Sequence, residues 1–449
     1  MTTRSDKMAT WPIPKLLFSM GIPAVISMLI QALYNIVDTI YISNYSQDAM
    51  FAIGLVFPMQ MIGLSLALGT GVGIGTLVSR RLGEGNKKEA THVATTGIRL
   101  GLFHALLILL LGVFGAKPFL EMFTERPDII ELGYEYLLIV MSLNIGQMLA
   151  VSFERILQSQ GNMIVPMITL IMGAVTNIIL DPILIFGMFG LPAMGIKGAA
   201  IATVIGQIIS MLADLFFVLH GKHEVNIQFK GFKFDMRIVR DIYSVGIPTA
   251  IMNMIGSVTT TLMNGVLVNF TENAVTSLSL YFKLQSFVFM PVFGFNQGAL
   301  PILAYNYGSR NKDRYMKTAR LYLLTAIGFM FVGMLLFRFK TDLMLSFFEM
   351  NDELKTIAEV TLRTISLSFI PAAISIAITT MFQSFGKGTV SMIQSILRQL
   401  GFLIPAAYLL SNISLEAIWY AYPIAETAVV IIFVPMIIKL YRNAFAGVK

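Results

Sequence analysis

The stretch GIPAVISMLIQALYNIVDTIYIS, residues 21–43, decides the fold because it is apolar and long enough to cross a bilayer as one helix. It nevertheless carries Asn35 and Asp38 near its far end. A near-copy, GIPTAIMNMIGSVTTTLMNGVLV, begins 225 positions later and has Thr260 and Met263 at the matching places. An ionised aspartate at the centre of a membrane costs about 2.5–3.5 kcal/mol, and a packing role would require it in both copies. The asymmetry favours a functional role for Asp38; the alternative is a carboxylate close enough to the headgroups to stay hydrated.

The composition is that of a polytopic membrane protein. Of the 449 residues, 56% are hydrophobic and 13% are charged, and the mean hydropathy is +0.75, values that soluble globular proteins do not reach. Cysteine is absent, which excludes a disulfide framework and thiol chemistry. The net charge of +7 resides in the connections between apolar runs, a pattern that argues against a nucleic-acid partner.

Twelve apolar runs predict twelve membrane-spanning helices. The alternating pattern of a β-barrel is missing, and helices are the remaining way to satisfy backbone polar groups in lipid, so the predicted fold class is all-α integral membrane. The polar start leads into a run too long for a signal peptide, and the first span is therefore expected to be retained. The runs cover residues 13–43, 51–79, 92–115, 129–158, 163–187, 197–220, 238–268, 275–303, 316–337, 354–384, 388–410 and 415–440.

The basic residues predict the topology. If the N-terminus is inside, most Lys and Arg residues fall on the inner side, because cytoplasmic loops carry an excess of both. Both termini are therefore expected in the cytoplasm, and the chain is expected in the cell's inner (plasma) membrane. The outer side receives only Lys117, Arg126, Lys197, Arg338, Lys340 and Lys355.

An internal repeat extends beyond the first span. At the same displacement of 225 positions, residues 82–87 match residues 307–312. Six spans separate the copies, so the halves have the same orientation and a pseudo-twofold axis along the membrane normal. The prediction is two six-helix lobes, residues 1–222 and 223–449, around a central cleft that opens alternately to each side.

A second polar pair lies in the fifth predicted span. Asn177 and Asp181 are four residues apart, so both project from one helix face, as do Asn35 and Asp38. Both aspartates lie at a similar depth near the outer end of an outward-running span. The four residues predict an oxygen-rich cluster that can hold a shared proton, or a desolvated Na⁺ at Asp38, Asn177 and Asp181.

The second lobe lacks this cluster, because Phe402 and Ala406 stand at the positions that match Asn177 and Asp181. Pro182 supports a site in the first lobe. Proline cannot donate its backbone hydrogen bond and crowds the carbonyl four residues back, which leaves acceptors free beside Asp181. The alternative for Pro182 is a simple helix kink.

The remaining candidate residues are less specific. Met and Phe side chains that line the cleft can form a deformable aromatic wall suited to organic cations, although core packing is the simpler explanation for any one of them. Glu154 and Arg155 lie near an inner helix end and can reach water, whereas a cation as deep as Arg398 needs a partner that the sequence does not name. The cavity candidates are Met59, Met61, Phe282, Lys283, Phe287, Phe289, Met290 and Phe293, and further pathway candidates are Asp214 and Glu426.

Four motifs carry a family resemblance: QALYNIVDT at 31–39, RRLGEGN at 80–86, QSQGN at 158–162 and NIILDP at 177–182. In this order and spacing, and with two like-oriented sets of six spans, the chain resembles the multidrug and toxic compound extrusion (MATE) family over essentially its whole length. Within the family it is most similar to the bacterial MepA-like branch.

The resemblance implies a secondary exporter that exchanges cytoplasmic organic, often cationic, compounds for incoming H⁺ or Na⁺. It implies no cofactor and a chain that functions as a monomer among membrane lipids. By the same resemblance Asp38 is the coupling acid of the first span, and Asn177 with Asp181 completes the cation site. Some members also use acids in the seventh and tenth spans, whose membrane parts here carry none.

The alternative function is a flippase of a lipid-linked precursor in a related architecture. Its cavity should carry several basic residues for pyrophosphate, and Arg155, Lys283 and Arg398 are the candidates. A channel is less consistent with two lobes in one chain. An enzyme is least consistent, since the sequence offers no nucleophile–base set or metal motif.

Overall fold

The computed structural model describes residues 6–221, 223–225, 227, 235–346, 348 and 350–446. Within them the regular secondary structure is helical and contains no strand, which confirms the predicted all-α class. The helices are α1 (Asp6–Thr10), α2 (Ile13–Tyr45), α3 (Gln47–Gly83), α4 (Lys87–Glu121), α5 (Pro127–Ser142), α6 (Ile145–Ser159), α7 (Ile164–Phe186), α8 (Ile196–His220), α9 (Met236–Leu267), α10 (Glu272–Gly308), α11 (Lys312–Phe339), α12 (Thr341–Leu345), α13 (Asp352–Ile365), α14 (Phe369–Ser384), α15 (Gly388–Ile396), α16 (Ile404–Ser411), α17 (Leu415–Ile418) and α18 (Ala421–Ala444).

The described helices supply the expected number of spans. Eleven are long and apolar enough to cross a membrane, and α5 with α6 makes a twelfth that bends by 44°. Three of the eleven combine shorter helices: Asp352–Ser384, Gly388–Ser411 and Leu415–Ala444. The second of these contains a π-helical segment, Leu397–Leu403, between α15 and α16.

The repeat is visible in the helix boundaries. The starts of α10, α11, α13 and α18 follow those of α3, α4, α5 and α8 by 225 positions each. The turns that follow α3 and α10 repeat as well: Gly85 has φ +76°, and Arg310, at the matching position, has φ +53°. An arginine in this left-handed region keeps a backbone turn that glycine adopts more easily.

The chain divides into two compact units. Unit 1 comprises Met1–Trp11 and Ile26–Ala250, and unit 2 comprises Pro12–Val25 and Ile251–Lys449. Helix α2 therefore begins in unit 2 and ends in unit 1, and α9 does the reverse. The lobes predicted from the repeat, with a boundary at 222/223, assign these segments differently and stay a prediction; Lys222 itself lies outside the described residues.

The two interiors differ in composition. In unit 1 small and aliphatic side chains such as Ala52, Val56 and Leu137 are fully buried. In unit 2 a buried aromatic cluster surrounds Tyr315, whose ring stacks on Phe385 at a centroid distance of 5.0 Å. Helices in lipid gain little from hydrophobic burial against one another, so close side-chain fit stabilises both interiors.

Candidate cation site

Two glycines bring α7 and α8 into close contact in unit 1. A methyl group on Gly173 would come within 2.7 Å of the carbonyl oxygen of Gly206, and one on Gly206 would come equally close to the carbonyl oxygen of Gly173. Such small-residue contacts allow helix backbones to approach closely in membranes. Because α7 and α8 touch here, polar side chains one turn away on each helix, after Gly173 and before Gly206, can meet.

Asn177 is the centre of a buried hydrogen-bond group on these helices. Its Nδ2 donates to Oδ1 of Asp181 at 3.3 Å, one turn along α7, and lies 3.4 Å from Oγ1 of Thr203 on α8. Asn177 is 3% exposed and Asp181 is fully buried. The predicted pairing of Asn177 with Asp181 on one helix face is therefore present in the structure.

Asp38 reaches this group from the C-terminal part of α2, which belongs to unit 1. Its half-buried carboxyl group lies within hydrogen-bonding reach of the Asp181 carboxyl group. Two carboxylates without a proton cannot donate to each other, whereas one shared proton would join them. The structure thus brings together Asp38, Asn177 and Asp181, as the sequence predicts.

Three oxygen atoms of this group are buried and receive no hydrogen bond within the described part of the chain: Oδ1 of Asp38, Oδ1 of Asn177 and Oδ2 of Asp181. Leaving a buried acceptor unsatisfied costs about 1–3 kcal/mol, and more when it is charged. A proton on the carboxyl pair, or a small hard cation among the oxygens, would satisfy them.

The group has three further neighbours, and sequence reasoning missed all three. Thr203 contacts Asn177, and the rings of Tyr34 and Tyr136 lie within electrostatic range of both carboxyl groups. Tyr136 is held by a hydrogen bond with Gln60. Thr203 could have been found because it is polar and follows the start of the sixth predicted span by about as many residues as Asp181 precedes the end of the fifth.

Asn35, the fourth predicted member, lies one turn from Asp38 but has an exposed side chain. Its carbonyl oxygen accepts from Oγ1 of Thr39 at 2.8 Å. The described residues contain no group of three or more His, Cys, Asp or Glu side chains that could hold a metal ion. The oxygen ligands present belong to two carboxylates, an amide and a hydroxyl. This set fits a proton or a hard monovalent cation.

The comparisons with known proteins agree with this architecture. The family model described as MatE matches residues 23–183 and 248–409, two segments whose starts are 225 positions apart. The chain belongs to the MatE family. Similar proteins include "Multidrug export protein MepA" of Staphylococcus aureus (strain MRSA252), 26% identical over 420 residues that cover 93% of this chain and 91% of the relative. The MepA of Staphylococcus saprophyticus is 25% identical and covers 91% and 89%.

Solved structures share the fold of this MatE-family chain. "Crystal structure of MATE in complex with MaL6" superposes with a TM-score of 0.92 at 23% identity and covers 99% of each chain. A transporter of the MOP superfamily from Pyrococcus furiosus, described as having reverse polarity of its binding pocket, gives 0.91 at 22% identity and covers 99% of each chain. At these identities the likeness establishes the fold alone.

The predicted cavity residues occupy varied environments in the MatE-family chain. Met59 is 2% exposed in the interior of unit 1, where it packs and presents no open surface. Phe287 and Phe293 in unit 2 are 61% and 40% exposed, and Phe293 contacts Phe289 at a centroid distance of 6.0 Å. Lys283 is exposed, and Met61, Phe282 and Met290 are half-buried.

The other intramembrane charges mostly have partners. Arg398 Nη1 lies 3.2 Å from Oε1 of Glu426 in unit 2, which supplies the partner that the sequence did not name. In unit 1 the buried Asp214 accepts from Oγ1 of Thr169 at 2.7 Å. Arg155 is half-buried and donates to Gln158 at 3.0 Å, and Glu154 is also half-buried.

Proposed function

We propose that this protein is a secondary exporter that moves cytoplasmic organic, often cationic, compounds outward in exchange for inward H⁺ or Na⁺ by alternating access. The observation that carries the proposal is the group of three buried oxygens at Asp38, Asn177 and Asp181 that receive no hydrogen bond from the residues that the structure describes. The family supports it, as do the relatives named multidrug export proteins. The chain acts as a transporter rather than an enzyme.

The carboxyl pair performs the coupling in this proposal. Two negative charges side by side in a dry interior repel each other, so the pair takes up one proton or one Na⁺. That cation joins Asp38 on α2 to Asp181 on α7. Helix α2 begins in unit 2 and ends in unit 1. The bound cation therefore holds the C-terminal half of α2 against α7, and α2 is the span that both carries the coupling acid and belongs to both units. A cation that binds one conformation more tightly shifts the population toward it.

Drug and cation must oppose each other for exchange. In the proposal, drug binding favours the conformation in which the carboxyl pair is empty. Exposed aromatic side chains such as Phe287 and Phe293 offer π-faces to an organic cation. The flippase alternative is weakened because Glu426 neutralises Arg398, one of its basic candidates. We place the protein in the plasma membrane as a monomer with both termini in the cytoplasm.

Transport by purified protein in proteoliposomes tests the proposal. The assay measures ethidium movement with a pH gradient and a Na⁺ gradient imposed separately, for wild type and Asp38→Asn. We expect wild type to respond to one of the two gradients, which identifies the ion, and Asp38→Asn to lose that response. The matched control is Asp48→Asn, which removes an exposed acid of the same unit that pairs with a surface arginine, Arg126.

A correctly folded Asp38→Asn protein that still follows the gradient would show that Asp38 is structural. Tight binding of undecaprenyl-type anions with no movement of dye cations would favour the flippase instead.

A further inference from the structure

A cavity of about 470 Å³ opens in unit 2 where α2 begins and α11 runs past it. Residues 12–14 form one wall. The other wall is the face of α11 that carries Arg314, Lys317, Arg320, Leu321 and Leu324. All of these residues belong to one unit, and the cavity lies near the N-terminal ends of α2 and α11, two helices long and apolar enough to span a membrane.

The α11 wall is amphipathic along its length. Positions 314, 317, 321 and 324 are three or four apart, so they follow one face of the helix. The basic residues come first, near the end of the span, and Leu321 and Leu324 come next toward its middle; Leu324 is 58% exposed. None of the eight residues that line the cavity is acidic. A positive pocket thus continues into an exposed apolar surface.

The repeat provides an internal comparison for this charge. In unit 1, Glu89 stands where unit 2 has Arg314, and Arg237 stands where it has Pro12. Oε1 of Glu89 lies 3.3 Å from Arg81 Nη2 and 3.6 Å from Arg237 Nη2. The cations of unit 1 are therefore neutralised by an acid of the same cluster. In unit 2 the position of that acid carries a cation, Arg314, and the positions of Arg81 and Arg237 carry Asn306 and Pro12.

We propose that this cavity binds an anionic phospholipid, with the headgroup phosphate among Arg314, Lys317 and Arg320 and one acyl chain along Leu321 and Leu324. Basic pockets between spans on the cytoplasmic side recognise anionic headgroups in this way, and the excess of basic residues assigns this end of α11 to the cytoplasmic side. The apolar surface next to the cations selects a lipid over a free phosphate ion, which has nothing to bury there. The lipid would hold the start of α2, the helix that carries Asp38 farther along.

Native mass spectrometry of the detergent-solubilised full chain tests the site with phosphatidylglycerol as the probe. The test variant is Lys317→Gln/Arg320→Gln, since both side chains are exposed and their loss leaves the interior intact. The charge-matched control is Arg338→Gln/Lys340→Gln, exposed residues at the other end of α11. We expect wild type and control to retain one phosphatidylglycerol that the test variant binds about tenfold more weakly or worse.

Two further arms define the ligand. Phosphatidylcholine should not replace phosphatidylglycerol, and millimolar inorganic phosphate should not displace it. Equal retention by the test variant and wild type would overturn the site, as would equal binding of phosphatidylcholine. Displacement by inorganic phosphate would overturn the lipid in favour of a free-anion site. Unchanged melting temperatures of both double variants establish that each protein is folded.

Discussion

The α7–α8 pair of unit 1 and the α15–α16–α18 segment of unit 2 are the two copies of one repeated element. The first copy has polar residues at positions where the second has apolar ones. Asn177, Asp181 and Thr203, which meet in unit 1, are matched by Phe402, Ala406 and Ala428 in the second copy. Among the described residues, the same scaffold therefore holds a polar group with unsatisfied oxygens in one unit and apolar residues at the matching positions of the other.

The second copy keeps one charged pair, but at a different place. Arg398, at the position that matches Gly173, lies in the π-helical segment and pairs with Glu426. A bulky arginine thus replaces the glycine that brings α7 against α8. The comparison teaches that a close helix contact, together with the polar residues, makes the unit 1 site.

The largest effect expected from this comparison is at Asp181. Asp181→Asn removes the second carboxylate while keeping the size and hydrogen bonding of the side chain, so the pair can no longer take up a cation. Gradient-driven export should fall to the rate seen without a gradient. Proteoliposome transport measures it. The matched control, Ala406→Asn, puts the same amide into the other copy and should leave the gradient response in place.

Equal losses in Asp181→Asn and Ala406→Asn would show that the asymmetry between the copies does not govern coupling. Loss in the first alone would place coupling in unit 1.

Sequence patterns predicted the spans well because each span must be apolar over its full length. Every residue of an apolar run therefore contributes to the signal. The repeat was equally legible, since polar turns such as residues 82–87 interrupt the apolar runs at fixed spacing. The units were harder to predict. The start of α2 belongs to unit 2 and the start of α9 belongs to unit 1. This assignment depends on which helix each apolar surface contacts, and apolar surfaces have similar sequences.

The site was predicted in part for a related reason. Asp38 and Asp181 are rare residue types within spans, so each was conspicuous. Thr203 was missed because threonine is unremarkable in a membrane helix and hydrogen-bonds its own backbone at little cost. Met59 appeared as a candidate cavity residue but packs in the interior of unit 1, because hydropathy does not distinguish a side chain that faces a cavity from one that faces a neighbouring helix.

The next largest effect tests the glycine contact. Gly173→Ala places a methyl group 2.7 Å from the Gly206 carbonyl oxygen, so α7 and α8 must separate. We expect a loss of about 1–3 kcal/mol in stability, measured as a lower melting temperature in detergent, with a weaker response to the coupling ion because Thr203 moves from Asn177. Gly328→Ala, where a methyl group meets no atom within 4 Å, should not lower the melting temperature.

The charged pair of the second copy should respond in a different manner. Arg398→Gln leaves Glu426 without its cation and should cost about 1–3 kcal/mol. The double variant Arg398→Gln/Glu426→Gln removes both charges and should recover part of that loss, since the penalty comes from the unpaired acid. Melting temperatures of the single and double variants measure the coupling. Additive losses would mean that the pair contributes no interaction energy. Gradient response should survive in the folded variants, because Arg398 and Glu426 lie outside the cation site.

The smallest expected effect compares the turn that follows α3 with the turn that follows α10. Arg310 has φ +53° where the first half has Gly85 at φ +76°, and a side chain in this left-handed region costs about 1 kcal/mol more than glycine. Arg310→Gly should therefore raise stability by up to about 1 kcal/mol, whereas Gly85→Ala, which meets no atom within 4 Å, should lower it by a similar amount through backbone strain alone. Opposite shifts in melting temperature would show that both turns require a left-handed backbone conformation, and that only the first half places a glycine there. Shifts of the same sign would mean that the Arg310 side chain contributes more through its contacts than its backbone conformation costs.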